Sequence, residues 1–275
     1  IVGMAFLPAG RVLFAPCGWM LDSYRFLCEV SLKIPGAQRI TGKPAHMRIF
    51  WYYLGLGVFL LAIYACARRN EKHKDCRETA DLCVSRRKKR LQGIVFSCFI
   101  AFLLLFLLFP QKKSFEIDFL DVGQGDGIYL CTGGGTSMFI DGGSTDVKQV
   151  GKYRILPFLK AKGVSEISYW FVSHTDTDHV SGLKEVLVSG YRVEYLVFAK
   201  AVEKEAKTKE LAELARSHGT KVLYMQAGDT VRSKRAAMRC LYPKASDKAE
   251  DVNDLCLVLQ LEEGDISALF GGDIS

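Results

Sequence analysis

The sequence predicts a layered α/β (α+β) domain over residues 114–275, set behind two membrane-crossing helices. Three observations carry this. Two uncharged apolar runs of 19 residues each lie within the first 110 residues. After them, short period-two segments alternate with helix-like ones, the pattern of strands layered with helices. The charge also divides: residues 1–113 hold 18 Lys+Arg against 6 Asp+Glu, a net +12, and residues 114–275 hold 19 against 24, a net −5. The +7 of the whole chain therefore belongs to its N-terminal part. The C-terminal part carries no basic footprint for nucleic acid.

The first run is Ile49–Ala67 and the second Leu91–Phe109, ended by Pro110. At 1.5 Å per residue each reaches about 28 Å, close to the hydrocarbon thickness of a bilayer. Trp51, Tyr52 and Tyr53 stand where an interfacial aromatic belt lies. Together residues 49–110 read as two transmembrane helices. Between them, Arg68–Arg90 holds ten Lys/Arg against four Asp/Glu, including the run Arg86–Arg90. A short loop of that composition stays in the cytoplasm, which sets the chain after Gln111 outside the membrane. A solvated charge run explains the loop without further function. Residues 1–48 mix apolar stretches with Pro8, Pro16 and Pro35 and read as the end of a membrane region or interfacial helices.

Nine cysteines are scattered without a CxxC pair, which excludes a zinc ribbon or a thioredoxin-like motif. Cys131, Cys240 and Cys256 are the three in the C-terminal part. An odd count argues against a disulfide scaffold and leaves one bridge open. No signal peptide is visible, and both ends read as cut, so the chain is expected to be an excerpt.

Within the domain, Phe115–Val122 alternates as a strand and Gly123–Gly127 turns tightly. Ile128–Cys131 and Ser137–Ile140 are strands around a glycine hairpin loop. Tyr153–Ala161 reads as a helix stopped by Gly163. Ile167–Val172 is a strand, Gly182–Leu187 helical, Arg192–Ala199 a strand, and Glu203–Ser217 a helix closed by Gly219. Strands at Lys221–Met225, Ala237–Leu241, Leu255–Glu262 and Ile266–Phe270 complete the set.

The chemistry concentrates where the Ile167–Val172 strand ends. His174, Asp176, Asp178 and His179 bring two imidazoles and two carboxylates into six residues. A strand end turning into a helix can aim such a set at one point, and divalent metals take mixed N and O donors. The same residues also suit a solvated loop in which Asp178 caps the helix beginning near Val180. Asp121, Gln124 and Asp126 in the glycine turn, and Asp141 before Gly142-Gly143, are candidates for orienting metal ligands. Turn chemistry explains them equally well.

LDVGQGD (120–126), FIDGG (139–143), ILPFLKAKGV (155–164), SHTDTDHVSGL (173–183), NDLCLVL (253–259) and LFGGD (269–273) follow one another in a specific order and spacing. Over residues 114–275 this series resembles the C-terminal metallo-β-lactamase-like domain of the ComEC family, the DNA-internalisation channel of natural competence. Residues 1–113 resemble that family in architecture only. The resemblance implies a metallo-β-lactamase-like αββα sandwich, preceded by transmembrane helices. It implies one or two divalent ions, Zn or Mn, with His174 and Asp176 on one and Asp178 and His179 on the other. Asp273 matches the bridging carboxylate, and Asp176 and Asp178 are the candidate catalytic carboxylates.

The chain departs from the superfamily pattern in three places. Asp176 stands where the second His is usual. The third His is missing: His218 is the one His between His179 and Asp273, and it reads as a helix-end residue. Cys256 stands where Ser is common, with Asn253 kept. A last His is expected beyond Ser275.

By the resemblance, the chain is part of a DNA-uptake channel in the cell membrane. Its partners are DNA, the membrane and other competence machinery. Its outer domain would hydrolyse phosphodiester bonds of the strand that is not imported. The rival readings are a non-catalytic domain that guides DNA or is structural, and another hydrolase of the same fold, against which the membrane anchor and LDVGQGD argue. Fold alone does not choose between them.

Overall fold

The structure is a computed structural model, and it describes residues 7–34, 36, 39–72, 82–109, 113–248 and 252–273. Two compact units divide the chain, Ile1–Ile40 and Thr41–Ser275. The first holds one helix, α1 (Leu7–Leu32), with Pro16 inside it. It carries the apolar stretch Val12–Leu21, and residues 1–6 lie outside the described residues. Its Trp19, Met20, Tyr24 and Phe26 are exposed.

In the second unit, α2 (His46–Lys72) and α3 (Leu82–Leu108) pack as an antiparallel pair. Phe59 stacks on Phe96 and Phe99, with ring centroids 5.4 and 4.2 Å apart. Gly55 lies against Leu103, and the Arg48 guanidinium donates to the Phe109 carbonyl. Among the described residues one stretch, His46–Ala65, is long and apolar enough to cross a membrane, and the apolar part of α3, Gly93–Leu108, is shorter. The expected second span, Leu91–Phe109, falls within α3 up to Leu108. Residues 68–72 and 82–90 of the expected basic loop continue the two helices, and residues 73–81 lie outside the described residues.

The remaining chain is a layered α/β domain. Its first sheet runs β1 (Glu116–Phe119), β2 (Gly127–Cys131), β3 (Ser137–Asp141), β4 (Glu166–Phe171), β5 (Arg192–Ala199) and β6 (Lys221–Met225), in that spatial order. β1 to β3 are antiparallel neighbours, and β3 to β6 are parallel. Parallel pairing needs long crossovers. These are α4 (Leu156–Ala161), α5 (Thr177–Val188) and α6 (Ala206–Ser217). The segment expected as one helix over Tyr153–Ala161 begins as a π-helical turn, Gly151–Ile155, and Pro157 then sits in the first turn of α4. There its missing N–H costs no bond.

The second sheet is antiparallel, in the order β10 (Ile266–Phe270), β9 (Val258–Glu263), β8 (Ala237–Tyr242) and β7 (Thr230–Arg232). β7, three residues long, has too short an alternation to be read from sequence. Alternate side chains of the first sheet serve two cores. Tyr129, Phe139, Ile167 and Trp170 meet α4 to α6 through Leu159, Leu183, Leu187 and Leu211. Leu130, Met138, Ile140 and Phe171 meet the second sheet through Met238, Leu259, Leu261 and Phe270. Helices thus cover one face of the first sheet and the second sheet covers the other. The expected αββα order would need a fourth layer. Among the described residues the outward row of the second sheet, with Leu241 and Leu269, is exposed instead.

Because β3 to β6 are parallel and β2 runs against β3, one end of the first sheet gathers the start of β2 and the C-terminal ends of β3 to β6. The end of β10 joins it from the second sheet: Gly272 approaches Ser173, and the Leu257 amide donates to the Ser173 carbonyl at 2.9 Å.

Candidate metal centre

The centre is built on Asp141, the last residue of β3. Its backbone is left-handed (φ 58°), a region Asp tolerates better than most residues. Both oxygens of its carboxylate are engaged. Oδ1 accepts from the Ser173 amide at 2.7 Å, and Oδ2 accepts from the Ser173 hydroxyl at 2.8 Å and faces His179 Nδ1 at 3.0 Å. The Trp170 indole donates to the Asp141 carbonyl at 2.6 Å, tying this residue to β4.

The glycines beside it allow the close approach of three loops. A Cβ at Gly143 would lie 2.3 Å from the Asp178 carbonyl carbon, and one at Gly125 2.4 Å from the Asp178 oxygen. No side chain fits at either position. The Asp126 amide donates to the Asp178 carbonyl at 3.3 Å, and the Gly143 amide to that of Asp126 at 3.2 Å.

Asp141 also sets the tautomers of both histidines. The Ser173 hydroxyl gives its proton to Asp141, so its oxygen is left to accept from His174 Nδ1 at 3.1 Å. His179 Nδ1 donates directly to Asp141. The buried Cys256 Sγ lies 3.5 Å from His174 Nδ1, and burial pushes this thiol up to about 12. In both imidazoles Nδ1 is thus engaged and Nε2 is the atom left for another partner, a proton or a metal ion, the arrangement by which a carboxylate orients metal-binding histidines. The rings lie 3.9 Å apart, centroid to centroid.

Their Nε2 atoms face carboxylates at more than hydrogen-bond distance. His179 Nε2 is 3.4 Å from Asp273 and 3.9 Å from Asp178, and His174 Nε2 is 4.0 Å from Asp176. Two donors about 2.1 Å from a shared tetrahedral ion sit roughly 3.4 Å apart. Donor atoms of His174, Asp178 and His179 all lie within 4.8 Å of one another. In a second grouping, Asp126, Asp141 and His179, both Asp141 oxygens already accept hydrogen bonds. The residues present fit a divalent ion on the Nε2 side.

The electrostatics agree with this. Burial would lower His179, but the bond to Asp141 and the charges of Asp141, Asp273 and Asp178 outweigh it and raise the imidazole to about 9. A place that favours a proton so strongly favours any cation. His174 is lowered by burial and then by the neighbouring His179. Asp126 is raised by burial and then by Asp141.

Asp176 behaves differently. It holds the N-cap position of α5 without a side-chain cap bond. Its Oδ1 accepts from Lys207 Nζ at 2.7 Å, and this bond lowers Asp176 and raises Lys207. Asp178, in the first turn of α5, suits the positive end of the helix dipole.

Two residues expected to orient ligands lie elsewhere. Asp121 is exposed and paired with Arg154 at 3.3 Å. Gln124 is exposed, and only its backbone is held, by Asp146 and the Thr145 amide. The Asp121 side chain follows the surface because the turn itself is closed by Asp146. His218 lies at the C-cap of α6 with Nδ1 on the Leu214 carbonyl at 2.9 Å, away from the cluster. Asn253 is in a 3-10 turn, Val252–Leu255, and its side chain is outside the described part. Cys131, Cys240 and Cys256 are all free thiols.

Sequence reasoning gave no role to Ser173 or Lys207. Ser173 had a faint signal, its place between a strand and a His. Lys207 had none, because 31 residues separate it from Asp176.

No protein-family model matches the chain. It is 28% identical over 209 residues to ComE operon protein 3 of Bacillus subtilis, covering 70% of this chain and 27% of that protein. It is 31% identical over 106 residues to Recombination protein 2 of Haemophilus influenzae, covering 38% of this chain and 13% of that protein. The chain thus spans about a quarter or less of the curated relatives it matches. Among solved structures, the metallo-β-lactamase fold protein YhfI from Bacillus subtilis overlays with TM-score 0.39 at 12% identity, over 54% of this chain and 55% of that one. Zn(2+)-bound PqqB from Methylobacterium extorquens overlays with TM-score 0.38 at 13% identity, over 52% and 51%. Through 70% of its length, this chain is similar to ComE operon protein 3.

Proposed function

We propose that this chain serves DNA uptake in natural transformation, and that its strand-end cluster is a divalent-metal centre hydrolysing phosphodiester bonds of the strand that is not imported. The observation carrying the reading is the pair of buried imidazoles, both with Nδ1 committed to the Asp141–Ser173 relay and both offering Nε2 to a cluster of carboxylates.

His174 and His179 would hold the ion through Nε2, with Asp178 and Asp273 as oxygen donors. Mixed N and O donors suit both Zn²⁺ and Mn²⁺. When bound, such an ion supplies Lewis-acid polarisation of a phosphoryl oxygen and acidifies water. Asp141 and Ser173 keep the imidazoles in register. Asp178, partly exposed and 3.9 Å from His179 Nε2, can take a proton from the attacking water. Asp126, raised by burial, borders the same space from the β2 side.

In this reading α2 and α3 both cross the cell membrane, as two spans of a multi-pass protein. The Lys/Arg-rich ends of α2 and α3 are cytoplasmic and the metal domain is extracytoplasmic. DNA and other competence proteins are its partners.

The test is cleavage of single- and double-stranded DNA by the detergent-solubilised chain with Mn²⁺ or Zn²⁺. Activity should vanish with chelator and in His179→Ala and Asp178→Ala. Cleavage that survives both variants would overturn the reading. A non-catalytic, DNA-guiding domain is the second reading, favoured by the engagement of Asp176 with Lys207. It predicts DNA binding without cleavage.

A further inference from the structure

We propose that Lys207 is the second cation of this centre. Its ammonium, fixed on Asp176, stands in place of a second metal ion and receives the phosphodiester anion beside a single divalent ion held by His174, Asp178 and His179. The inference rests on the reading above and specifies how that site takes its substrate.

The first support is the division of labour within the six-residue motif. His174, Asp178 and His179 bring donor atoms within 4.8 Å of one another. Asp176 spends one oxygen on Lys207 at 2.7 Å and holds the other 4.0 Å from His174 Nε2. One carboxylate thus links the ammonium to the imidazole pair.

The second support is the donor count. An ion at Asp176 would need further ligands there. His218 is turned to the Leu214 carbonyl at the far end of α6, and both Asp141 oxygens are engaged by Ser173 and His179. Among the described residues no other imidazole is placed at this end of the sheet.

The third is charge. Asp126, Asp141, Asp176, Asp178 and Asp273 border the site. One divalent ion leaves this surround negative, which repels a phosphodiester. A lysine supplies a compact point charge with three donors. One is used by Asp176, leaving two for a phosphoryl oxygen.

The fourth is placement. Lys207 is the second residue of α6. The helix is anchored by buried Thr208, Leu211, Ala212 and Ala215, while the Lys207 side chain remains 69% exposed. Its base is fixed and its tip is open to a ligand. An ordinary surface ion pair would stabilise little and do nothing else, so the two roles separate by experiment.

The experiment is equilibrium dialysis of the detergent-solubilised 275-residue chain at a series of free Mn²⁺ concentrations, with elemental analysis. The wild type and Lys207→Arg should saturate at one ion per chain. Lys207→Ala should also saturate at one ion, since the further donors a second ion needs are absent whether or not Asp176 is freed. Two ions in the wild type would overturn the proposal. In parallel, fluorescence anisotropy with a thymidine oligonucleotide should show binding weakened about tenfold in Lys207→Ala and largely restored in Lys207→Arg. Equal affinity in wild type and Lys207→Ala would also overturn it. Neither readout requires turnover. Absence of DNA cleavage would therefore count against the hydrolase reading and leave this one standing on the ion count.

Discussion

The α2–α3 hairpin and the two-sheet domain dispose their apolar side chains in opposite ways. In the hairpin, Leu61 and Leu105 are 68% and 66% exposed, and Leu103 is the buried exception. In the domain, Trp170, Phe139 and Phe171 are fully buried, and the groups gathered at the strand ends are imidazoles and carboxylates. A side chain is therefore a stability element in one region and a surface element in the other. Hydrophobicity of the residue does not tell the two apart, and its neighbours do.

The largest test of that contrast is Trp170→Ala. The ring stacks on Phe139 at 4.3 Å and its indole holds the Asp141 carbonyl. Its loss should cost about 3–5 kcal/mol, read as a fall of roughly 10 °C in the melting temperature of the domain. A variant that melts with the wild type would break the comparison at its strongest point.

Asp141→Asn comes next. It removes the charge that organises Ser173 and both histidines, and should cost about 1–3 kcal/mol. Mn²⁺ affinity should fall roughly 10–100-fold. Metal binding equal to that of the wild type in a dialysis assay would show that the relay is only structural.

Lys162→Met probes a half-exposed region of the domain. Lys162 Nζ bridges Glu116 at 2.9 Å and Asp118 at 2.8 Å, two like charges on the same face of β1. Its removal should cost about 1 kcal/mol at neutral pH. Burial opposes the ammonium, but Asp118 and Glu116 raise it above its ordinary 10.5. A raised Lys contributes stability that is complete below the unfolded value and is lost as pH climbs through the folded one. The melting gap between wild type and variant should therefore be constant from pH 7 to 9 and close above about pH 10.5. A gap that widens there would reverse the sign of the argument.

The smallest effect belongs to the hairpin. Leu61→Ser and Leu105→Ser should move the domain's melting transition by less than about 0.5 kcal/mol in detergent. A shift comparable to Trp170→Ala would mean that the hairpin is part of the same cooperative unit.

Much of this architecture was legible in the chain. β5, β6 and β10 begin and end where alternation and flanking turns put them, because each has strand-forming residues bounded by Gly or polar breaks. Boundaries were lost where a neighbour took over. Pro157 sits inside what reads as one helix, and Arg86–Arg90 reads as a loop although it continues α3. Within the candidate site, His174, Asp178 and His179 were visible from spacing. Asp121 and Gln124 were equally plausible from composition, but the closing of their turn by Asp146 leaves both exposed at the surface.

The sequence by itself determined the division into a basic, apolar N-terminal part and an acidic α/β part, and it named the donor-rich turn after β4. Those properties are local: they depend on charge, period and residues adjacent in the chain. Only the tertiary structure decided how the donors are used. It joined Asp141 to Ser173 and His179, brought Asp273 across from the second sheet, and set Lys207 on Asp176. Those contacts depend on which strand ends share one edge, and nothing in a run of neighbouring residues specifies that.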